Sequence, residues 1–285
     1  MAKIYFDKVT ILGVGLLGAS FALALRKKKL CREIVGYGRK ENNLKKAKRL
    51  KIIDSYNLDA KKACSDSDLI VFSVPVGKFL ATAGKIKGSL KKGALVTDVG
   101  SVKGRLVRDM ESLMPRGVNF VGSHPIAGSN KNGIGAANAE LFSGAQCIVT
   151  PTKKTGMEAL GKITALWKSL GARTVNLNAD EHDRVYAAVS HLPHIIAYAL
   201  VNAVSDMDSS YIKFAGQGFK DSTRIASSSP EIWRDISLMN KRNILKSIKV
   251  FKKNLDALGR HIQKSNSPAL EKEFKKARTL RDDVR

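Results

Sequence analysis

The chain has 285 residues, 44% of them hydrophobic, with 50 Lys+Arg against 25 Asp+Glu and a formal net charge of +25. At roughly 150 residues per domain this makes one to two domains, each able to bury its own core. Ordinary apolar content excludes a wholly disordered chain, and a mean hydropathy of −0.16 argues against a protein with many membrane spans.

Lys8–Leu12 is a near-continuous apolar run, the mark of a strand buried on both faces. Gly13–Gly18 breaks it, and Ala19–Leu25 reads as helix. Glu33–Tyr37 is a second strand and Glu41–Leu50 a polar helix. Strands follow at Leu69–Ser73 and Ala94–Asp98, trailed by helical segments near 78–88 and 102–114. Asn119–Val121, Cys147–Thr150 and Thr174–Asn176 complete the strand set. Such alternation implies a mostly parallel, doubly wound sheet over residues 1–178.

From Asp180 helical periodicity takes over, at 180–207, 230–264 and 268–282, so residues 179–285 are expected to form an all-helical domain. Asp180 is placed to cap the first helix, and Ser229-Pro230-Glu231 resembles a helix start. Pro193 should break its bond to the Val189 carbonyl and kink the chain there. Apolar positions from Ile232 to Ile262 recur at helical spacing as one stripe. No apolar run is expected to reach the roughly 18–20 residues of a membrane helix. Met1–Asp7 lacks a signal-peptide layout. Cys31, Cys64 and Cys147 form no C-x-x-C pair and read as reduced, buried thiols, which points to the cytoplasm.

The charge is unevenly spread, with 31 basic and 12 acidic residues up to position 178, a balance of +19. Clusters such as Arg26–Lys29 and Lys45–Arg49 fall on or after surface helices, where solvated lysines are ordinary. Aromatics make up 6% and none interleaves with the clusters, so the pattern suits attraction of small anionic metabolites better than nucleic-acid binding.

Gly13-Val14-Gly15-Leu16-Leu17-Gly18 is a full G-x-G-x-x-G between a strand and a helix. Its glycines permit a tight turn, close approach of backbone to pyrophosphate and close helix–strand packing, so a dinucleotide is expected here. The acidic residue that usually ends the second strand is missing; Gly38-Arg39-Lys40 stands there instead. With no carboxylate for a ribose hydroxyl and two cations at hand, the loop could accept a 2′-phosphate, the alternative being two solvated charges.

Three of the five histidines stand out: His124 just past a strand, and His191 and His194 within a helix. His182 and His261 read as structural or solvent-facing. No H-E-x-x-H or Cys/His cluster suggests a metal.

Taken together, these stretches resemble the prephenate/arogenate dehydrogenase family of tyrosine biosynthesis over nearly the whole chain. The likeness rests on Gly13–Gly18, Ser73-Val74-Pro75, Asp98–Gly104, His124–Gly128, Ser190–His194, Gly218–Ala226 and Trp233-Arg234-Asp235. It implies a Rossmann-type doubly wound sheet followed by an all-α C-terminal dimerisation domain, hence a homodimer. It also implies oxidation of a 4-hydroxycyclohexadiene carboxylate by hydride transfer to NAD or NADP, loss of CO2 then giving 4-hydroxyphenylpyruvate from prephenate or tyrosine from arogenate.

By that resemblance His124 takes the hydroxyl proton, a task for a neutral imidazole. Ser101 bonds the same hydroxyl, Ser190, His191 and His194 line the substrate pocket, and Arg224 holds a carboxylate, which suits a planar bidentate donor. Gly13, Gly15, Leu16, Leu17, Gly18, Arg39, Ser73, Pro75 and Ser101 face the cofactor. Two departures stand out: Asn130 occupies a position that is acidic in several members, and Gly38 replaces the common aspartate, which leans the cofactor toward NADP. A β-hydroxyacid dehydrogenase would want a catalytic lysine on a helix, and a nucleotide-sensing or nucleic-acid-binding protein could keep the fold without chemistry. A monofunctional enzyme is expected.

Overall fold

The computed structural model describes residues 4–128 and 133–283, so Asn130 lies outside the described residues. Eight strands form one sheet: β1 (Phe6–Leu12), β2 (Cys31–Tyr37), β3 (Ser55–Asn57), β4 (Leu69–Phe72), β5 (Leu95–Asp98), β6 (Asn119–Pro125), β7 (Gln146–Thr150) and β8 (Arg173–Asn176). Their order is β3-β2-β1-β4-β5-β6-β7-β8, with every pair parallel except β6 and β7. Strand order reverses between β1 and β4, where Leu12 pairs with Tyr37 on one side and Phe72 on the other. The crevice beyond these carboxyl ends is where such sheets bind ligands.

Helices cover both faces, which is why the central strands read as unbroken apolar runs: Val9, Ile11, Leu12 and all of β4 are fully buried. On one face α1 (Leu16–Lys27) and α6 (Met157–Ser169) meet around Phe21 and Trp167, rings 5.2 Å apart and edge to face. Phe142 joins them at 5.3 Å from Trp167. Offset and edge contacts of this kind add about 0.5–1.5 kcal/mol beyond burial. On the other face α3 (Ala60–Cys64), α4 (Phe79–Ile86) and α5 (Gly104–Leu113) bury Phe72, Phe79 and Met110. The first of these cores also takes in α2 (Glu41–Arg49), through Leu44 and Ala47.

Three elements escape the sequence pattern. β3 is three polar or half-buried residues, α3 is five residues long, and α6 repeats Ala159, Ile163, Leu166 and Trp167 at helical spacing between two strands. The cap of α7 (Ala179–Tyr186) is Asn178, whose side chain accepts from the Asp180 amide; Asp180 itself sits in the first turn. A π-turn, Ala187–His191, joins α7 to α8 (Leu192–Met207), and Pro193 falls in the first turn of α8. The missing Pro193 amide thus falls just beyond a wider, π-type stretch of the helix.

Ala179–Met207 is a 29-residue helix with a window of mean hydropathy 1.4, 17% of it buried. Among the described residues membrane length is therefore reached once, by length and composition, because the π-turn makes two helices continuous. Cys31 is half-buried, unlike Cys64 and Cys147.

The chain falls into two compact units, Met1–Asn240 and Lys241–Arg285. The first also carries α9 (Gln217–Thr223) and α10 (Pro230–Met239). The second is a helical hairpin of α11 (Lys241–Gln263) and α12 (Ser267–Asp282). The single helix expected over 230–264 is broken at Asn240, the C-cap of α10, and the expected stripe is broken with it.

Candidate active site

The Gly-rich turn is shaped by three separate constraints. Gly13 has φ +101°, and a Cβ there would meet the Ser73 carbonyl at 2.6 Å. A Cβ on Gly18 would strike the Gly13 carbonyl and the Ile11 side chain, so α1 can approach β1 only with glycine at that point. Around Gly15, by contrast, nothing lies within 4 Å of a Cβ position. Gly15 is the N-cap of α1 and makes no side-chain cap, which leaves first-turn amides for an anion.

Beside the turn is a cavity of about 400 Å³ lined by Gly13, Gly15, Gly38, Arg39, Ser73 and Pro75, together with Lys40, Asn43, Lys78, Thr82 and Lys85. Among the described residues its lining holds four cations and no carboxylate. Bare Gly15 and this cationic wall fit a dinucleotide. Arg39 and Lys40 are exposed, and Gly38 meets only Leu44 at ordinary distance. Leu16, Leu17 and Gly18 stand in the first turn of α1 outside the cavity lining.

His124 ends a relay that sequence spacing does not reveal. Its Nδ1 lies 2.8 Å from His182 Nε2, and His182 Nδ1 lies 2.9 Å from Asp183 Oδ1. Asp183 can only accept, so His182 Nδ1 donates to it; neutral His182 then accepts from His124 Nδ1–H. The tautomers assigned by this chain leave His124 Nε2 unprotonated and free to take a proton. Burial, then the neighbouring His182, Lys103 and His191, hold the His124 pKa well below its usual value. Burial likewise lowers that of His182, against the opposing pull of Asp183. Tyr186 packs its ring 4.9 Å from His124 and 4.5 Å from His182. His182, read from sequence as structural or solvent-facing, is fully buried and bonded to His124.

The other histidines occupy two different environments. His194 is half-buried, its Nδ1 donating to the Ser190 carbonyl at 2.9 Å and its ring stacked on Trp233 at 3.6 Å. Burial lowers its pKa first, the bond to the Ser190 carbonyl opposes that, and the charge of Arg224 lowers it further. His191 is completely buried rather than open to a pocket. Its Nδ1 accepts from Asn240 Nδ2 at 3.1 Å, while Nε2 has no partner of good geometry. Burial brings its pKa down to about 4, with the Ser101 backbone acting the other way. His191 thus wedges between Asn240, Trp233 and the Ser101 turn, where sequence reading had it lining the substrate pocket.

Ser101 is half-buried and three residues beyond Asp98, the fully buried end of β5. Asp98 Oδ1 accepts the Ser123 amide at 3.0 Å, so the turn carrying Ser101 and the strand carrying His124 are tied at their bases. Asp98, Lys103 and Asp183 emerge as structural participants only in three dimensions, although the first two sit inside the motif that carries Ser101. The carboxyl ends of β1, β4, β5 and β6 therefore present an anion-binding turn, a basic cavity and a neutral imidazole. Fold and site together define a dinucleotide-dependent oxidoreductase.

Comparison with known proteins narrows the class. Residues 21–176 match the model for the prephenate dehydrogenase nucleotide-binding domain, and 178–276 that for the prephenate dehydrogenase dimerization domain. Prephenate dehydrogenase of Bacillus subtilis is 34% identical over 282 residues, 98% of this chain and 76% of that one. Cyclohexadienyl dehydrogenase of Zymomonas mobilis is 33% identical, covering 97% and 95% of the two chains. The crystal structure of Aquifex aeolicus prephenate dehydrogenase with hydroxyphenyl propionate and NAD+ superposes with a TM-score of 0.92 at 38% identity, over 98% of each chain. The chain belongs to the prephenate dehydrogenase family.

Proposed function

We propose that this protein oxidises prephenate, or its amino counterpart arogenate, with a nicotinamide dinucleotide as acceptor. The observation that carries the reading is the relay: Asp183 and His182 leave His124 neutral with Nε2 bare, the state a base needs to take a hydroxyl proton. As the carbinol loses hydride, His124 Nε2 receives the O–H proton, and Ser101 bonds the same oxygen. The bound nicotinamide supplies the hydride acceptor, and aromatisation drives loss of the ring carboxylate as CO2. Arg224, with Ser190 and His194 beside it, holds a substrate carboxylate; His191 supports the pocket from behind.

Gly13, Gly15 and the first turn of α1, with Leu16, Leu17 and Gly18, hold the pyrophosphate, and Ser73, Pro75 and Ser101 flank the dinucleotide further in. Gly38, Arg39 and Lys40 support NADP+ used at least as well as NAD+, since a bidentate guanidinium suits a 2′-phosphate and no carboxylate opposes it. A β-hydroxyacid dehydrogenase would have no use for the His124–Gly128 stretch, and Lys103, fully buried with its ammonium held by Asp98, Gly100 and Val102, is not placed to serve as its catalytic lysine. Residues 1–178 form the nucleotide-binding domain and 179–285 the helical domain through which two copies pair. Free thiols at Cys31, Cys64 and Cys147 support a cytoplasmic setting.

The test is an assay of the purified protein with prephenate or arogenate and with NAD+ or NADP+. Turnover of neither substrate overturns the reading. NAD+ used more than tenfold better than NADP+ overturns the cofactor assignment alone. Gly38→Asp, whose Cβ meets only Leu44, should swing preference toward NAD+.

A further inference from the structure

The mechanism leaves the buried ion pair of Lys103 and Asp98 unused. Lys103 is fully buried among the strand ends, and its ammonium donates to Asp98 Oδ2 at 2.5 Å and to the carbonyls of Gly100 at 2.7 Å and Val102 at 3.2 Å. All three N–H bonds are spent inside one turn, Asp98–Lys103, that carries Ser101. A buried ammonium is costly unless fully paired, and apolar packing could close a turn without one. Asp98 is spent as completely: Oδ2 also takes the Gly100 amide at 2.8 Å, and Oδ1 takes the Ser123 amide at 3.0 Å. Ser123 Oγ donates to the Asp98 carbonyl, and the next residue along β6 is His124.

The main chain of Lys103 closes the circuit. Its amide donates to Asp183 Oδ1 at 2.8 Å, the same oxygen that accepts from His182 Nδ1. The other Asp183 oxygen lies against Gly104, where a Cβ would strike it. A closed ring results, running from Lys103 through Asp98, Ser123, His124, His182 and Asp183 and back to Lys103. We propose that Lys103 is a positioning residue of this site, pinning the Ser101 turn to the His124 strand through Asp98 and the Asp183–His182 pair to His124 through its own amide.

This assignment rests on His124 being the base. Charged or titratable groups stand around His124 on the elements packed against it: His182, Asp183 and Tyr186 from α7, Asp98 from the end of β5, Lys103 from the turn before α5, His191 from the π-turn, and Cys147 from β7. Lys103 is the one permanent cation among them, and its charge opposes protonation of His124. Removing it should therefore raise the pH at which His124 titrates.

The experiment compares the full-length protein with Lys103→Met, an unbranched side chain of similar length, under saturating cofactor. Misplacing a base or its partner by about 1 Å costs on the order of 10²-fold in rate. The expected result is kcat down by about that factor, KM and cofactor Kd within roughly threefold, and the acid limb of kcat/KM moved to higher pH. Histidine NMR on 15N-labelled protein reads the same upward shift in the His124 titration without substrate. If Lys103→Met does not fold, Lys103→Met combined with Asp98→Asn removes both buried charges and is judged by the kcat loss at unchanged cofactor Kd. Retained kcat with an unmoved His124 titration overturns the proposal. So does a kcat loss matched by an equal loss of cofactor binding, which marks a purely structural lysine. A parent enzyme inactive on both substrates would sink the functional reading instead, and the NMR comparison would still decide the role of Lys103.

Discussion

At the scale of single residues, the site depends on protonation states that burial enforces. His124→Asn keeps an Nδ-like donor toward His182 but removes the far half of the ring with its proton acceptor, so kcat should fall by roughly 10²–10⁴-fold with cofactor affinity near normal. Retained kcat in steady-state assays would remove His124 from the mechanism. Arg224→Ala should act mainly on KM, because a carboxylate contact exists in ground and transition states alike; a lost charge-assisted pair, about 1.5–3 kcal/mol, corresponds to roughly 10- to 150-fold. An unchanged KM would make Arg224 a structural cation.

The same histidines couple stability to pH. His191 is protonated near pH 6.5 when unfolded but only near about 4 when folded, because burial disfavours its charged form. Between those values the unfolded chain binds more protons, so stability is present above about pH 6.5 and is lost as pH falls toward about 4. The full window is worth about 3 kcal/mol for this group, and His124 and His182 shift in the same direction. Urea midpoints measured across that range should fall with pH, and His191→Gln should flatten the slope. A midpoint independent of pH there would contradict buried neutral histidines.

At the scale of elements, two glycines of one motif predict opposite phenotypes. Gly15 has room for a methyl group in the protein alone, so Gly15→Ala should keep the melting temperature within a few degrees while weakening dinucleotide binding by about tenfold or more. Gly13 has a left-handed φ and no space against Ser73, so Gly13→Ala should destabilise the β1–α1 turn itself, by about 1–3 kcal/mol. Paired thermal melts and fluorescence titrations of cofactor decide it; equal stability losses in both variants would show that Gly15 serves packing, not ligand. The helix running from α7 through the π-turn to α8 follows the same logic. The wide turn seats Pro193 and presents His191 inward, while Ser190 and His194, one turn apart, share a hydrogen bond.

At the scale of the whole molecule, each of the two compact units exposes apolar side chains on its helices. Only Ala197 of α8 is buried, and on the hairpin Leu245, Leu255, Ile262 and Phe274 are each more than half exposed. Exposed apolar side chains on helices are the material of association surfaces, and the segment 178–276 matches a dimerization-domain model. Sedimentation velocity should give twice the chain mass of 31.0 kDa, and Leu255→Glu should raise the dimer dissociation constant by about tenfold or more. A monomer at micromolar concentration would leave those faces unexplained.

Sequence by itself determined the parts whose physics is local. Unbroken apolar runs meant strands covered on both faces, and G-x-G-x-x-G between strand and helix meant a turn that only glycine can make. Gly38-Arg39-Lys40 was legible as a missing carboxylate, and the ordered motifs from Ser73 to Asp235 carried the family. What escaped was short, polar or dependent on distance: β3 and α3 have too few residues for a period, and Asn178, two residues earlier, took the cap from Asp180. His182 looked like an ordinary helix-start histidine because nothing within its own segment reveals that 58 residues earlier another imidazole ends a strand. Only the tertiary structure could close the ring through Lys103, Asp98, His124, His182 and Asp183, because its hydrogen bonds join residues up to 80 positions apart. A side chain's protonation state and partners are set by what the fold packs against it in low dielectric, and no local spacing encodes that.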